Sequence, residues 1–281
     1  MKLVKTINEI KNIVKDWKKQ GLSIGFVPTM GYLHEGHGSL ITKARENSKV
    51  VVSIFVNPMQ FGPTEDLDKY PRDLEKDKKY CEELGVDVIF NPEPGEMYPE
   101  DFCTSVDMSL LTEELCGLSR PVHFKGVCTV VNKLLNIVNP DKAYFGEKDA
   151  QQLAVIKRMV RDLNMDVEII GCPIVRENDG LAKSSRNMYL NSEERRAALS
   201  LSKSILAGKD MVKKGCREAE IILKNMEDII NMEPLARIDY LKAVDAMTMQ
   251  QVDTIDRPVL IAMAVNIGNV RLIDNFSFIP D

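Results

Sequence analysis

Apolar residues follow two rhythms along this 281-residue chain. Five short runs, at residues 23–27, 50–56, 87–90, 143–145 and 167–170, are almost continuously apolar and rich in Val and Ile. That is the pattern of strands buried on both faces of a parallel sheet. Between them the apolar positions recur at helical spacing, which predicts helices over 39–47, 74–84, 126–138 and 150–163. Alternation of strand and helix predicts an α/β fold with a doubly wound parallel sheet. The first twenty residues set Ile7, Ile10, Val14 and Trp17 among lysines, the spacing of one amphipathic helix.

The rhythm changes after Arg186. Asn191 and Glu194 have the spacing of a capping box and open a predicted helix reaching about 214, followed by a second over 218–230. Three strand-like runs then follow one another at 238–244, 259–265 and 271–276. Two helices before consecutive strands predict a smaller C-terminal α+β domain. The division is expected between 175 and 190, giving domains 1–178 and 179–281.

Composition narrows the function classes. Hydrophobic residues make up 44% and charged residues 28%, a globular mixture. A formal net charge of -5 argues against a grip on a nucleic-acid backbone, though it leaves room for a local basic pocket. The six cysteines form no Cys-x-x-Cys pair and match no zinc pattern, so free thiols in a cytoplasmic setting are expected, with no metal ligands. No apolar run reaches the roughly 18 residues of a membrane span.

Four segments carry candidate chemistry, each at or just after a predicted strand end. In the first, Met30-Gly31-Tyr32-Leu33-His34-Glu35-Gly36-His37 lies between a strand and a helix. Amides at a helix start favour an anion, and glycines let backbone approach it closely. Two histidines three apart can share one face of the first turn and donate hydrogen bonds to phosphate oxygens. The bland alternative is a pair of surface histidines. In the second, Asn57 and Gln60 follow a buried strand; amides suit the reading of hydroxyls and carboxylates, but Asn-Pro and Gly-Pro turns are also common. In the third, Gly146-Glu147-Lys148-Asp149 precedes Gln152. Lys148 can place a charge on a phosphate, and Asp149 is either a nucleotide ligand or an ordinary acid at a helix start. In the fourth, Val175 leads to Lys183-Ser184-Ser185-Arg186, a phosphate clamp or a polar linker. His123, beside Phe124, reads as a structural group.

Together the four segments resemble pantothenate synthetases, with the match running from Thr6 to about Leu190 and an echo at Arg271-Leu272-Ile273-Asp274-Asn275. The His-x-Gly-His portion alone also fits the wider nucleotidylyl transferases, including class I aminoacyl-tRNA synthetases. The resemblance implies an AMP-forming ligase that joins pantoate to β-alanine through a pantoyl adenylate, a step in pantothenate and coenzyme A biosynthesis. It implies Mg²⁺ with ATP, a homodimer formed through the N-terminal domain, and a C-terminal domain acting as a partial lid. It assigns His34 and His37 to the ATP phosphates, with His37 as proton donor, and Lys148 and Arg186 to charge stabilisation. ATP would be lined by Met30 to His37, Gly146, Glu147, Lys148, Asp149, Val175, Lys183, Ser184, Ser185 and Arg186. Gln60 and Gln152 would hold pantoate, and Gln60 also β-alanine.

Three positions depart from that pattern. Gly38 stands in place of Leu, and glycine early in a helix costs roughly 0.5–1 kcal/mol against alanine, so local loosening is expected. Lys183 replaces Met and Val122 replaces Gly. A related adenylate-forming enzyme using another acid, or a nucleotide-binding regulatory module, are the rival readings. The paired glutamines weigh against the first and the intact cation set against the second.

Overall fold

The computed structural model describes residues 1–280 other than 47 and 64. The predicted helix end at Asn47 and the predicted domain end at Asp281 lie outside the described residues. The chain separates into two compact units. The first comprises 1–108, 120–147 and 155–173, and the second 109–119, 148–154 and 174–281.

The first unit is built on six parallel strands: β1 (Lys2–Val4), β2 (Ile24–Thr29), β3 (Lys49–Ile54), β4 (Val88–Phe90), β5 (Lys142–Gly146) and β6 (Glu168–Cys172). Their spatial order is β1-β4-β3-β2-β5-β6. Strand order runs one way from β2 through β3 to β4 and the other way from β5 to β6. The reversal between β2 and β5 is the kind of switch point where open parallel sheets bind ligands, beyond the carboxyl ends of the strands. Val50, Val51 and Val52 of β3 are fully buried, as are Ile24, Phe26 and Val27 of β2, so these strands need no polar face.

The N-terminal expectation needs correcting. Residues 1–20 are not one helix: Lys2–Val4 pairs in parallel with Val88–Phe90, and α1 spans Ile7–Lys19. Thr6 sets the start, because its hydroxyl accepts the Glu9 amide while the Glu9 carboxylate accepts the Thr6 amide. Ile10 and Val14 are buried, worth about 1.5–3 kcal/mol each. Five helices follow in this half of the chain: α2 (Glu35–Arg45), α3 (Leu74–Glu83), the short α4 (Pro94–Met97) and α5 (Cys116–Ser119), and α6 (His123–Val138). Helix α2 begins four residues before the predicted start, and α6 three residues before. Helix α6 is apolar on most sides and ends where Asn139 adopts a left-handed conformation (φ 44°). Helix α7 (Ala150–Asp162) follows β5.

In the second unit, α8 (Ser192–Lys213) and α9 (Ala219–Asn231) pack on an antiparallel sheet of β7 (Ala236–Asp245), β8 (Val259–Ile267) and β9 (Val270–Phe278). Asn191 caps α8 through the expected box, accepting both the Glu193 and Glu194 amides at 2.9 Å. Strand β8 buries almost every residue, because it is the central strand and lies under both helices. All six cysteines are free thiols.

Candidate active site

The turn after β2 is shaped by buried polar groups. Thr29 donates its hydroxyl to the Ser53 carbonyl (2.7 Å) and accepts the Gly31 amide (3.1 Å). Gly31 and Tyr32 are both left-handed, with φ 86° and 53°. For tyrosine that conformation costs about 1 kcal/mol or more. Asp77 of α3 offsets it: its carboxylate accepts the Tyr32 amide at 2.8 Å and the Leu33 amide at 2.7 Å. Asp77 is 1% exposed, and burial pushes its carboxyl up although the two amides pull the other way.

The two histidines then head α2 with their rings 4.2 Å apart. Nδ1 of His34 accepts the Gly36 amide (3.1 Å), and Nδ1 of His37 accepts the His34 amide (3.3 Å). A ring nitrogen that accepts carries no proton, which leaves Nε2 as the donor end of each ring. The helix therefore starts early because a histidine caps it, and the motif sits inside the first turn. Gly36 is required for this: a Cβ there would lie 2.8 Å from the His34 ring. Gly38 does not leave a void. A Cβ at 38 would overlap the Tyr80 hydroxyl, so the tyrosine occupies the space that a side chain there would take.

Gln60 ends a short 3₁₀ turn, Pro58–Gln60, and is buried. Its Oε1 accepts from Asn57 Nδ2 (3.0 Å), and its Nε2 lies 3.1 Å from Met30 Sδ. The turn is backed by α6, where His123 Nδ1 donates to the Gln60 carbonyl (3.0 Å) and Nε2 faces Arg120 Nη1 (3.1 Å). Arg120 in turn forks onto Glu65, at 2.6 and 2.7 Å. Burial pushes the Glu65 carboxyl up, but the hydrogen bond and charge of Arg120 outweigh it and hold the group below its ordinary range. His123 stands directly behind Gln60, bonded to its carbonyl.

Gly146 ends β5, beside β2 in the sheet, and Glu147 opens the 3₁₀ turn Glu147–Asp149. The other expected residues belong to the second unit. Lys148 and Asp149 form a 3₁₀ turn leading into α7, and the Lys148 carbonyl accepts from Asn275 Nδ2 at 2.8 Å. On α7, Gln152 is half-buried. Its neighbour Gln151 is the buried one, accepting the Cys116 amide and donating to the Leu111 and Glu114 carbonyls. Val175 accepts the Lys183 amide at 2.9 Å across a tight turn with Gly180 left-handed (φ 92°). Ser184 caps the turn Ser185–Tyr189 by accepting the Arg186 amide at 3.2 Å. Lys183, Ser184, Ser185 and Arg186 are all half-buried. Behind them Arg176 forks onto Asp274 at 2.7 and 2.9 Å, and Asp274 is 1% exposed.

Two sets result. The first unit gathers Met30 to His37 with Gln60, Gly146 and Glu147; the second gathers Lys148, Asp149, Gln152, Val175 and Lys183 to Arg186. Sequence reasoning missed the groups that hold them: Asp77, Tyr80, Tyr98, Arg120 and Arg176. Arg176 and Arg120 lie within segments the sequence singled out, Val175-Arg176-Glu177 and Arg120-Pro121-Val122-His123, but carried no assigned role.

Comparison with known proteins decides the family. Residues 2–277 match the family described as Pantoate-beta-alanine ligase. The chain belongs to that family. It is 86% identical over 281 residues to a pantothenate synthetase of Ruminiclostridium cellulolyticum, covering 100% of both chains. It is 62% identical over 277 residues to one of Clostridioides difficile, covering 98% of each. Among solved structures, a pantothenate synthetase of Thermus thermophilus superposes with a TM-score of 0.93 at 45% identity over 100% of both chains. The pantoate-β-alanine ligase of Francisella tularensis, complexed with β-γ ATP and β-alanine, superposes with a TM-score of 0.81 at 38% identity, covering 98% of this chain and 97% of that one.

Proposed function

We infer that this ligase activates pantoate with ATP and passes the acyl group to β-alanine, with the residue roles set out below. The AMP-forming ligase activity follows from family membership; the roles are the proposal. In the first step a pantoate carboxylate oxygen attacks the α-phosphorus, the bond to the bridging oxygen breaks, and pyrophosphate leaves. A carboxylate and a triphosphate repel, so the site must supply positive charge and fixed donors. His34 and His37 supply Nε2–H donors to the phosphates, with His37 the donor most engaged as the leaving oxygen gains charge. Lys148, Ser184, Ser185 and Arg186 neutralise the departing pyrophosphate, and Lys183 adds a cation beside them. Met30 to His37, Gly146, Glu147, Asp149 and the Val175 backbone line the nucleotide. Gln60 and Gln152 hold pantoate. In the second step the β-alanine amine, its carboxylate end near Gln60, attacks the acyl carbon; the amide forms, the amine gives up a proton and AMP leaves.

The observation that carries this reading is the pair of histidine rings at the head of α2, each fixed as an Nε2–H donor by a backbone amide on Nδ1. Among the described residues no group of three or more His, Cys, Asp or Glu side chains is placed to hold a metal. Mg²⁺ enters the proposal through the family resemblance, as part of the substrate, carried on the triphosphate. The proposal further includes a cytoplasmic homodimer and a lid role for 179–281, both carried by the family resemblance.

A substrate panel tests the reading. AMP release should require pantoate and β-alanine together. Equal release with a different acid in place of pantoate would overturn it.

A further inference from the structure

We propose that Asn57, held by the Gly126 carbonyl, the Met59 amide and the Tyr98 hydroxyl, sets the polarity of Gln60, so that this side chain meets its substrate as an N–H donor and selects an accepting oxygen. The inference deepens the reading of Gln60 as a pantoate contact and rests on it.

An asparagine side chain can be turned either way, and only its neighbours decide which end is oxygen. For Asn57 two backbone groups decide. The Gly126 carbonyl lies 3.1 Å from Nδ2 and can only accept. The Met59 amide lies 3.4 Å from Oδ1 and can only donate. The reverse orientation would set oxygen against oxygen and N–H against N–H. With Asn57 so fixed, the Tyr98 hydroxyl, 2.7 Å from Oδ1, must be the donor. Burial pushes the Tyr98 phenol up, so it keeps that proton. The second hydrogen of Asn57 Nδ2 then goes to Gln60 Oε1 at 3.0 Å. Oxygen is thereby engaged inside the protein, and the amide nitrogen is the end left to face outward.

Surrounding packing encloses both amides. Asn57 is 1% exposed and Gln60 7% exposed. A Cβ on Gly126 would overlap the Met59 carbonyl and the Gln60 backbone, so helix α6 and the Gln60 turn are in direct contact. His123 holds the Gln60 carbonyl from behind. Met30 sulfur is a weak acceptor for Nε2, easily displaced by a carboxylate or hydroxyl oxygen. Tyr98 and Asn57 act here as positioning residues, and the specificity they confer is for an acceptor atom at the pantoate position.

The test compares Tyr98→Phe, Asn57→Asp and Gln60→Ala in the full-length enzyme. Phenylalanine keeps the ring that packs on Phe102, 5.0 Å away, and removes only the hydroxyl. Tyr98→Phe leaves the Gly126 and Met59 holds on Asn57 in place, so it should raise KM for pantoate no more than about 3-fold, with KM for ATP unchanged and the thermal midpoint lowered by the loss of one buried hydrogen bond. Asn57→Asp has no N–H to give Gln60 and should raise KM for pantoate by roughly 10²-fold, since a charged acceptor turns the glutamine round. Should Asn57→Asp fail to fold, Asn57→Ala, which also removes the donor to Gln60 Oε1, decides in its place. A wild-type KM for pantoate in Asn57→Asp, or in Asn57→Ala where it stands in, beside a raised one in Gln60→Ala, overturns the inference while leaving the Gln60 reading intact. An unchanged KM in Gln60→Ala removes both. Equal rises for pantoate and ATP in the Asn57 variant would mark a merely structural role and also overturn it.

Discussion

The two sets of site residues are held in different ways. In the first unit, side chains with chemistry are themselves locked: both histidines accept backbone amides, and Gln60 is gripped at its carbonyl and its side-chain oxygen. In the second unit, the backbone is locked and the chemical side chains are half-buried. Asn275 holds the Lys148 carbonyl, the Arg176–Asp274 fork lies behind the tight turn, and Arg195 joins Glu177 with Asp179. The difference fits the work proposed for each. Reading a carboxylate or an α-phosphate needs donors with fixed direction. Neutralising a pyrophosphate needs charge at a place, which a long cationic side chain supplies without a fixed angle.

Breaking the second unit's anchor should give the largest effect. Arg176→Met leaves the Asp274 carboxylate buried without its guanidinium, and such losses cost about 3–5 kcal/mol. Urea unfolding should show that loss. A variant within about 0.5 kcal/mol of wild type, the scale of an ordinary surface change, would mean the fork is not what anchors this segment. Next comes the chemistry. His37→Ala should slow adenylation roughly 10²–10³-fold with the thermal midpoint kept, the scale for one lost transition-state donor, and Lys148→Ala should fall on the same scale. Wild-type rates in either would remove that residue from the mechanism.

A smaller effect tests how tightly the histidine turn is packed. Gly38→Ala should destabilise by about 1–3 kcal/mol, because Tyr80 must move, even though alanine is the better helix former. Tyr80→Phe in the same chain should recover most of that loss, since it removes the overlapping hydroxyl; simple additivity of the two changes would show that they do not meet. The smallest effect is a pH dependence. Glu65 is held below its ordinary value of 4.5, so its ionised form is favoured by folding. That contribution is complete above about pH 4.5 and is lost as pH falls through the lowered folded value. Thermal midpoints of wild type and Glu65→Gln should therefore converge below about pH 4.5, and a constant gap would contradict the Glu65–Arg120 pairing.

Sequence made the sheet legible because buried parallel strands leave unbroken Val and Ile runs, as at 50–56. It concealed β1, since three edge residues, Lys2–Val4, offer too short a period and sit beside a strong helical one. The chemical motifs were legible because each combines a strand end with an unusual cluster of side chains. Their supports were not. Asp77 lies in Leu74-Glu75-Lys76-Asp77-Lys78-Lys79, where charge on both sides reads as a solvated helix face, yet it is almost fully buried. Tyr98 lies beyond a four-residue helix with no periodicity to orient it. The start of α2 was misplaced because histidine is not among the usual capping residues.

The central claim is that ATP and pantoate react at this site before β-alanine takes part. Exchange of labelled pyrophosphate into ATP measures that step directly. The account predicts exchange that requires pantoate, proceeds without β-alanine and drops about 10²–10³-fold in His37→Ala. Exchange that needs β-alanine, or that proceeds at full rate without pantoate, would contradict it.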